Sequence, residues 1–221
     1  MRLRNIPGAR EEMLVNPLIV QDPARLRGRW HEEFGNNRPI HIEIGAGKGQ
    51  FILTLAQRNP DINYIAIEKY ASVLLRVLTR QEELLLPNLR LIRVNAETVC
   101  DIFAEGEVDR IYLNFSDPWP KDRHAKRRLT SDRFLSLYRV ILAPEGHLEF
   151  KTDNVSLFDY SLAEAEANGW TLSQVCRDLH NSSYASENVT TEYEDRFSAE
   201  GNPICRLVAA PPQEKIGSET L

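Results

Sequence analysis

The residues best suited to chemistry are concentrated in one stretch, residues 114–129, which reads NFSDPWPKDRHAKRRL. It continues an apolar run (Val108, Ile111, Tyr112, Leu113) that reads as a buried strand. The strand must break at Asp117-Pro118-Trp119-Pro120. Each proline fixes φ and lacks an N–H, so two of them two residues apart continue neither a strand ladder nor a regular helix. Asp117 is therefore expected on a rigid turn at a strand end, with the indole of Trp119 beside it. The cations Lys121, Arg123, Lys126, Arg127 and Arg128 follow at once, with His124 among them. An acid, a flat ring and clustered cations suit a planar partner that carries phosphates, and nucleic acid has that chemistry. His124 is read as a phosphate or loop contact.

The remaining chemistry stands at the ends of other predicted strands. Residues 40–44 alternate as a short strand, 45–49 form a glycine-rich turn (Gly45, Gly47, Gly49), and 50–58 have a helical apolar face stopped by Asn59-Pro60. Strands follow at 63–67, ending in Glu68, at 89–94, ending in Asn95, at 108–115, and at 147–152, ending in Asp153. Between them lie helical patterns at 71–86, 98–104 and 131–142. A helix at 156–168 stops at Gly169, and two further strands are predicted at 170–179 and 204–209. Such alternation implies an α/β fold with a seven-stranded, mostly parallel sheet and helices on both faces.

Ligands of such sheets sit at the carboxyl ends of the strands, where strand order reverses. Here those ends carry Glu43, Glu68, Asn95, Asp117 and Asp153, a set dominated by carboxylates. A phosphate loop is absent, because Lys48 is followed by Gly49 and not by Ser or Thr. The dinucleotide fingerprint is broken by Gln50, and a pyrophosphate would meet Glu43. A ligand that is cationic near the glycines and carries a ribose farther along fits better. S-adenosylmethionine (SAM) has a sulfonium, an ammonium and no phosphate. Glu68, 19 residues after Gly49, is placed to accept from both ribose hydroxyls.

Composition narrows the classes further. The chain has 221 residues, a net charge of −5 and 42% hydrophobic residues. The acidic balance opposes a protein that coats nucleic acid indiscriminately, yet leaves room for a local basic patch, since close contacts feel charges within about 8–10 Å. No apolar run suits a membrane span or a signal peptide. Cys100, Cys176 and Cys205 lack any C-x-x-C spacing and read as free thiols in a reducing cytoplasm. The histidines at 31, 41, 124, 147 and 180 are too scattered to imply a metal. Residues 1–38, with Arg2, Arg4, Arg10, Arg25, Arg27 and Arg29, are expected to form a basic arm with one short helix over 24–34. The main domain is expected over 39–210, and a loose polar tail over 211–221.

Together EIGAGKG (43–49), Ile67-Glu68, Asn95-Ala96, FSDPWPKDRHAKRRL (115–129) and TEYE (191–194) resemble the bacterial tRNA (guanine-N7-)-methyltransferases, in order along nearly the whole chain. The resemblance implies a class I SAM-dependent methyltransferase (Rossmann-like) fold, SAM as methyl donor, and a guanine of the tRNA variable loop, nucleotide 46, as acceptor. It implies that Glu43, Glu68, Asn95, Ala96 and Asp117 contact SAM or frame the reaction centre. It further implies that Lys121, Asp153, Thr191, Glu192, Tyr193 and Glu194 hold the substrate. The chemistry agrees with the residues. Guanine N7 has a free lone pair and no proton, so no strong base is needed, and a carboxylate such as Asp117 can stabilise the charge that develops on the ring.

Some local readings stay open in the sequence. Asp153 reads equally as a helix N-cap. Residues 181–197 read as a loop or as a lid whose Thr191, Tyr193 and Glu194 could meet a guanine edge. Two other functions compete: methylation of an exocyclic adenine or cytosine amine, whose motif places two prolines together after the acid, and a non-catalytic RNA-binding module. Nothing in the sequence separates a monomer from a homodimer.

Overall fold

The computed structural model describes residues 6–213. Seven strands are present: Ile40–Ile44 (β1), Asn63–Ile67 (β2), Leu89–Ile92 (β3), Val108–Asn114 (β4), Leu142–Thr152 (β5), Thr171–Cys176 (β6) and Cys205–Ala210 (β7). They form one sheet in the order β3-β2-β1-β4-β5-β7-β6. The first five run parallel, and β7 pairs antiparallel with both β5 and β6. The chain moves outward from β1 through β2 to β3 and then returns to β4 on the other side of β1. The crevice at the carboxyl ends of β1 and β4 is therefore the switch point at which such sheets bind ligands.

The helices are Ala9–Val15 (α1), Trp30–Phe34 (α2), Gln50–Arg58 (α3), Ala71–Leu84 (α4), Val99–Ile102 (α5), Asp132–Ile141 (α6), Val155–Ala167 (α7) and Glu192–Ala199 (α8). Strand alternation sorts side chains between two cores. Ile42, Ile44, Ile111, Leu113, Leu148, Phe150 and Leu207 share one core with Trp30, Tyr138 and Phe158. Phe51, Leu53, Leu74, Val77 and Leu78 fill the other with Tyr64, Ala66 and Tyr112. The same alternation puts Glu43, Asn114, Glu149, Lys151 and Arg206 on this second face. A cluster of charges therefore enters the sheet on the side that faces α3.

Residues 6–38 depart from the expectation of an arm. Ala9 and Met13, four apart on α1, are 1% exposed and join the core beside α4. Ile19 bridges to Leu91, and Trp30 is fully buried with its indole N–H donating to the Ile102 carbonyl at 3.1 Å. The helix expected over 24–34 is split into a 3-10 turn at Pro23–Leu26 and α2, separated by Gly28 at φ +74°. Apolar residues at helical spacing outweighed the arginines, whose heads stay at the surface. Arg2, Arg4 and residues 214–221 of the tail lie outside the described residues. No described helix is long and apolar enough to cross a membrane.

Candidate active site

Three of the expected ligands stand on adjacent strand ends. Gly45 and Ala46 donate backbone N–H groups to the Ile67 carbonyl at 2.8 and 3.1 Å, which folds the glycine turn back over β2. Two of its glycines do different work. Gly45 has φ +83° and nothing within 4 Å of where a Cβ would stand, so the backbone there is open to a ligand. Gly49 has φ +88°, and a Cβ would come within 2.8 Å of Val77 Cγ1. Glycine is required there by the close approach of α3 to α4.

Glu43 is the most unusual group. It is 2% exposed at the end of β1. Its Oε1 accepts from Asn114 Nδ2 at 2.8 Å, while Oε2 is buried with no partner among the described residues. Burial pushes its carboxyl up to about 8, against the Asn114 bond and the attraction of Lys151. An orphaned buried acceptor costs about 1–3 kcal/mol, so a cation or N–H donor entering beside Gly45 would relieve it. The ammonium-bearing end of SAM fits this requirement.

A pH prediction follows. The value near 8 in the folded chain lies above the ordinary 4.5, so between those limits the folded state holds a proton that the unfolded chain has released. This group therefore lowers stability progressively as pH rises from 4.5 to 8. Glu43→Gln should flatten the fall in melting temperature of the ligand-free protein across that range while weakening SAM binding. Thermal melts at pH 5 and 8 would show parallel losses in variant and parent if Glu43 were ordinary.

Glu68 is 8% exposed at the end of β2, and its Oε1 accepts from Tyr70 N–H at 2.9 Å. Burial raises its carboxyl, opposed by backbone N–H groups of Tyr70, Lys69 and Gly47. Asn95 caps a short 3-10 turn, Ala96–Thr98, by accepting from Glu97 N–H at 3.4 Å, and Ala96 is buried behind it. Asn95, Glu68, the glycine turn and Asn114 thus follow one another along neighbouring strand ends in the order β3, β2, β1, β4.

Asp117 lies beyond β4, exposed, on a turn flanked by two strained residues, Phe115 at φ +50° and Trp119 at φ +43°. The turn is held from below. Phe115 N–H donates to the Lys151 carbonyl at 2.9 Å, and Arg128 donates to the carbonyls of Pro118 and Trp119, both at 3.1 Å. The Arg128 guanidinium also lies 4.1 Å from the Tyr160 ring centre. Two of the five guanidinium N–H groups of half-buried Arg128 thus hold the turn that presents Asp117, a structural role beside the phosphate contact expected of it. Lys121, Arg123, Lys126 and Arg127 are exposed, His124 is half-buried against Trp119, and residues 122–127 form a 3-10 helix.

The segment between β6 and β7 is a folded strap, not a loose loop. It contains short 3-10 turns at Leu179–Asn181 and Ala185–Glu187, then α8. Thr191 caps α8 by accepting from Glu194 N–H at 2.9 Å, and the Thr-x-x-Glu pattern of a capping box is the sequence signal for this helix. Glu194 does not face a base. It is 0% exposed and accepts from Lys151 Nζ at 2.7 Å and Asn188 Nδ2 at 2.6 Å, with His180 Nε2 at 3.1 Å. The expectation that its carboxylate reads a guanine edge is thereby corrected, because every approach is filled by these partners.

Burial pulls the Lys151 amine below its usual value, and Glu194 and Glu43 oppose that pull. Removing one member of such a buried pair costs roughly 3–5 kcal/mol, so the pair is the strap's main anchor. Three further ties hold the strap over the site. Gln50 Nε2 donates to Asp195 Oδ2 at 2.6 Å, Arg80 meets Glu192 at 3.4 Å, and Tyr193 O–H donates to Asp153 Oδ2 at 3.2 Å. Asp153 is not the cap of α7, since Asn154 accepts from Leu157 N–H at 2.8 Å in that role. Asp153 is left to hold Tyr193, whose phenol is pushed up to about 12 by burial and by Asp153. Tyr193 stacks on Phe197 and leans on Phe115, with ring centres 4.0 and 4.9 Å apart.

Under the strap lies a polar cavity of about 120 Å³ bordered by Tyr112, Glu149, Lys151, Asn188 and Arg206. A wider cleft of about 470 Å³ lies at the opposite, amino end of β1, beside Arg38, Ile40 and Asp109. The strand-end rule places the chemistry away from that cleft. Asn114, Gln50 and Lys151 are the site residues the sequence reading missed. Asn114 and Lys151 could have been found by extending the alternation of β4 and β5, which puts them on the face of Glu43.

A glycine turn, a carboxylate after β2 and a proline-bounded acid after β4, on a sheet of this order, define a SAM-dependent methyltransferase of class I. Solved structures carry the same fold. An antibiotic-related methyltransferase superposes with TM-score 0.61 at 19% identity, covering 84% of this chain and 94% of that one. A 16S rRNA (adenine(1408)-N(1))-methyltransferase from Catenulisporales acidiphilia, solved with cosubstrate SAM, gives 0.57 at 16% identity, covering 86% and 93%. The family model described as "Putative methyltransferase" matches residues 37–207. The tRNA (guanine-N(7)-)-methyltransferase of Lachnoclostridium phytofermentans is 60% identical, covering 97% of this chain and 100% of its own length. That of Geobacillus sp. (strain WCH70) is 53% identical, covering 98% and 100%. The chain belongs to the tRNA (guanine-N(7)-)-methyltransferase family.

Proposed function

We propose that this protein transfers the methyl group of SAM to N7 of a guanine in the tRNA variable loop, nucleotide 46, forming 7-methylguanosine. The observation that carries the reading is Glu43, a buried carboxylate with one unpartnered oxygen at the switch point beside an open glycine turn. SAM, when bound, supplies an electrophilic methyl carbon on a sulfonium.

The chain's own residues do the rest. Glu43 meets the cationic end of SAM, Glu68 the ribose, and Asn95 with Ala96 the adenine side. Asp117 stands exposed where the guanine enters and stabilises the positive charge that grows on the ring. Lys121, Asp153 and the strap residues 191–193 border the base. Here Thr191 acts through its cap, Glu192 through Arg80 and Tyr193 through Asp153. Arg123, His124, Lys126 and Arg127 face the phosphates. Residues 39–210 are the methyltransferase domain, the described part of 1–38 is its packed extension, and the cytoplasm, where tRNA is modified, is the place of work.

The direct test is incubation with labelled SAM and unmodified tRNA, followed by digestion to nucleosides and identification by mass. Label in 7-methylguanosine at the variable loop is the expected outcome. Label in an adenosine or cytidine, or SAM binding with no transfer, would replace this reading by one of its two competitors. At the cofactor end, Glu68→Ala should weaken SAM binding by about 1.5–3 kcal/mol, the loss of hydrogen bonds to a charged acceptor. Titration calorimetry showing unchanged affinity would remove Glu68 from the ribose site.

A further inference from the structure

The family reaction gives no role to the geometry around Trp119. Its backbone sits at φ +43°, a conformation a bulky side chain adopts only when its surroundings impose it. The imposing groups are Pro118 and Pro120 on either side and Arg128 beneath, which grips the carbonyls of Pro118 and Trp119. The indole so presented is half-exposed, unlike Trp30 and Trp170, which are 0% and 5% exposed in the core. The Arg127 guanidinium lies 4.9 Å from its ring centre, and His124 meets it edge-on at 5.8 Å. Lys121, Arg123 and Lys126, in the same run of sequence, are exposed.

A flat ring backed by a guanidinium, inside a run of exposed cations, is the pairing that holds unpaired nucleotides: the cations follow the backbone and the ring stacks a base. The base in question is not the target guanine. Asp117 and Trp119 are two residues apart, at most about 7 Å along the chain. Asp117 follows the end of β4, exposed, whereas Trp119 meets Arg127 and His124 of the basic 3-10 helix. Two such stations in succession match two successive nucleotides.

We infer that Trp119 and Arg127 form a stacking subsite for the nucleobase adjoining the target guanine. The strained turn splays the two bases apart, so that one stacks on Trp119 while the other reaches Asp117. This inference rests on the function proposed above.

The experiment uses the full chain with SAM, the variants Trp119→Leu and Trp119→Phe, and three tRNA transcripts: intact, and abasic at the nucleotide before or after the target guanosine. Trp119→Leu should bind intact tRNA roughly 5- to 150-fold more weakly, the range for a lost base–aromatic stack. SAM affinity should be unchanged, and Trp119→Phe should recover most of the loss. One abasic transcript should cost the parent protein a similar factor and cost Trp119→Leu nothing further. Losses that multiply, or a Trp119→Leu variant that binds like the parent, would overturn the inference.

A second measurement does not depend on any variant folding. Trp119 is the single half-exposed tryptophan, so a short single-stranded oligonucleotide should quench the parent's tryptophan emission, and an abasic phosphodiester of equal length should not. Equal quenching by both, or none by either, overturns the subsite even where tRNA is methylated normally. Base-dependent quenching by a protein that fails to form 7-methylguanosine would leave the subsite standing and remove the proposed function.

Discussion

A tRNA carrying 7-deazaguanosine at the accepting position is expected to bind this protein and to take up no methyl group. Replacing N7 by C–H removes the lone pair that accepts the methyl and leaves the rest of the base intact. The Watson–Crick edge, which we propose lies beside Asp153 and its bonded Tyr193, is unaltered. One lost hydrogen bond costs binding about 0.5–1.5 kcal/mol at most, whereas the acceptor itself is gone. The measurement compares methyl incorporation from labelled SAM into matched guanosine and 7-deazaguanosine transcripts, with affinity determined separately. An enzyme acting on an exocyclic amine would be indifferent to the change. Equal incorporation would therefore end the N7 assignment and favour that competitor.

The second large effect is at Asp117. Asp117→Ala should lower single-turnover rate by roughly 10²–10³, the scale seen when one preorganised electrostatic group is lost from a reaction centre. Affinity for tRNA should change little, because a group acting on developing charge contributes more to the transition state than to the ground state. The turn should survive the substitution. Its shape is held by Arg128 on the carbonyls of Pro118 and Trp119 and by Phe115 on the Lys151 carbonyl, none of which uses the Asp117 side chain. Rates at saturating tRNA and SAM within about twofold of the parent would reduce Asp117 to a turn residue.

Local chemistry by itself determined a large part of this protein. Apolar patterning brought out all seven strands, because it is a property of neighbours in the chain, although β5 begins at Leu142, five residues before the reading, and β6 ends at Cys176, three before it. The glycines at 45–49 and the prolines at 118 and 120 marked the turns, since glycine's backbone freedom and proline's fixed φ need no partner. Glu43, Glu68 and Asp117 could be placed at strand ends from the same pattern. What each charge does once there was decided by tertiary structure. Glu194 pairs with Lys151 across 43 positions of sequence, and Arg128 turns inward to carbonyls that define a turn. No periodicity reports which of several nearby cations will meet a buried acceptor. That choice is made by desolvation, which is set only when the sheet, α3 and the strap close over the same few side chains. Asp153 and Asn154 illustrate the limit most simply. Both can cap a helix, and the fold assigned the cap to Asn154 because Tyr193, arriving on α8 from 40 positions away, gives Asp153 another partner.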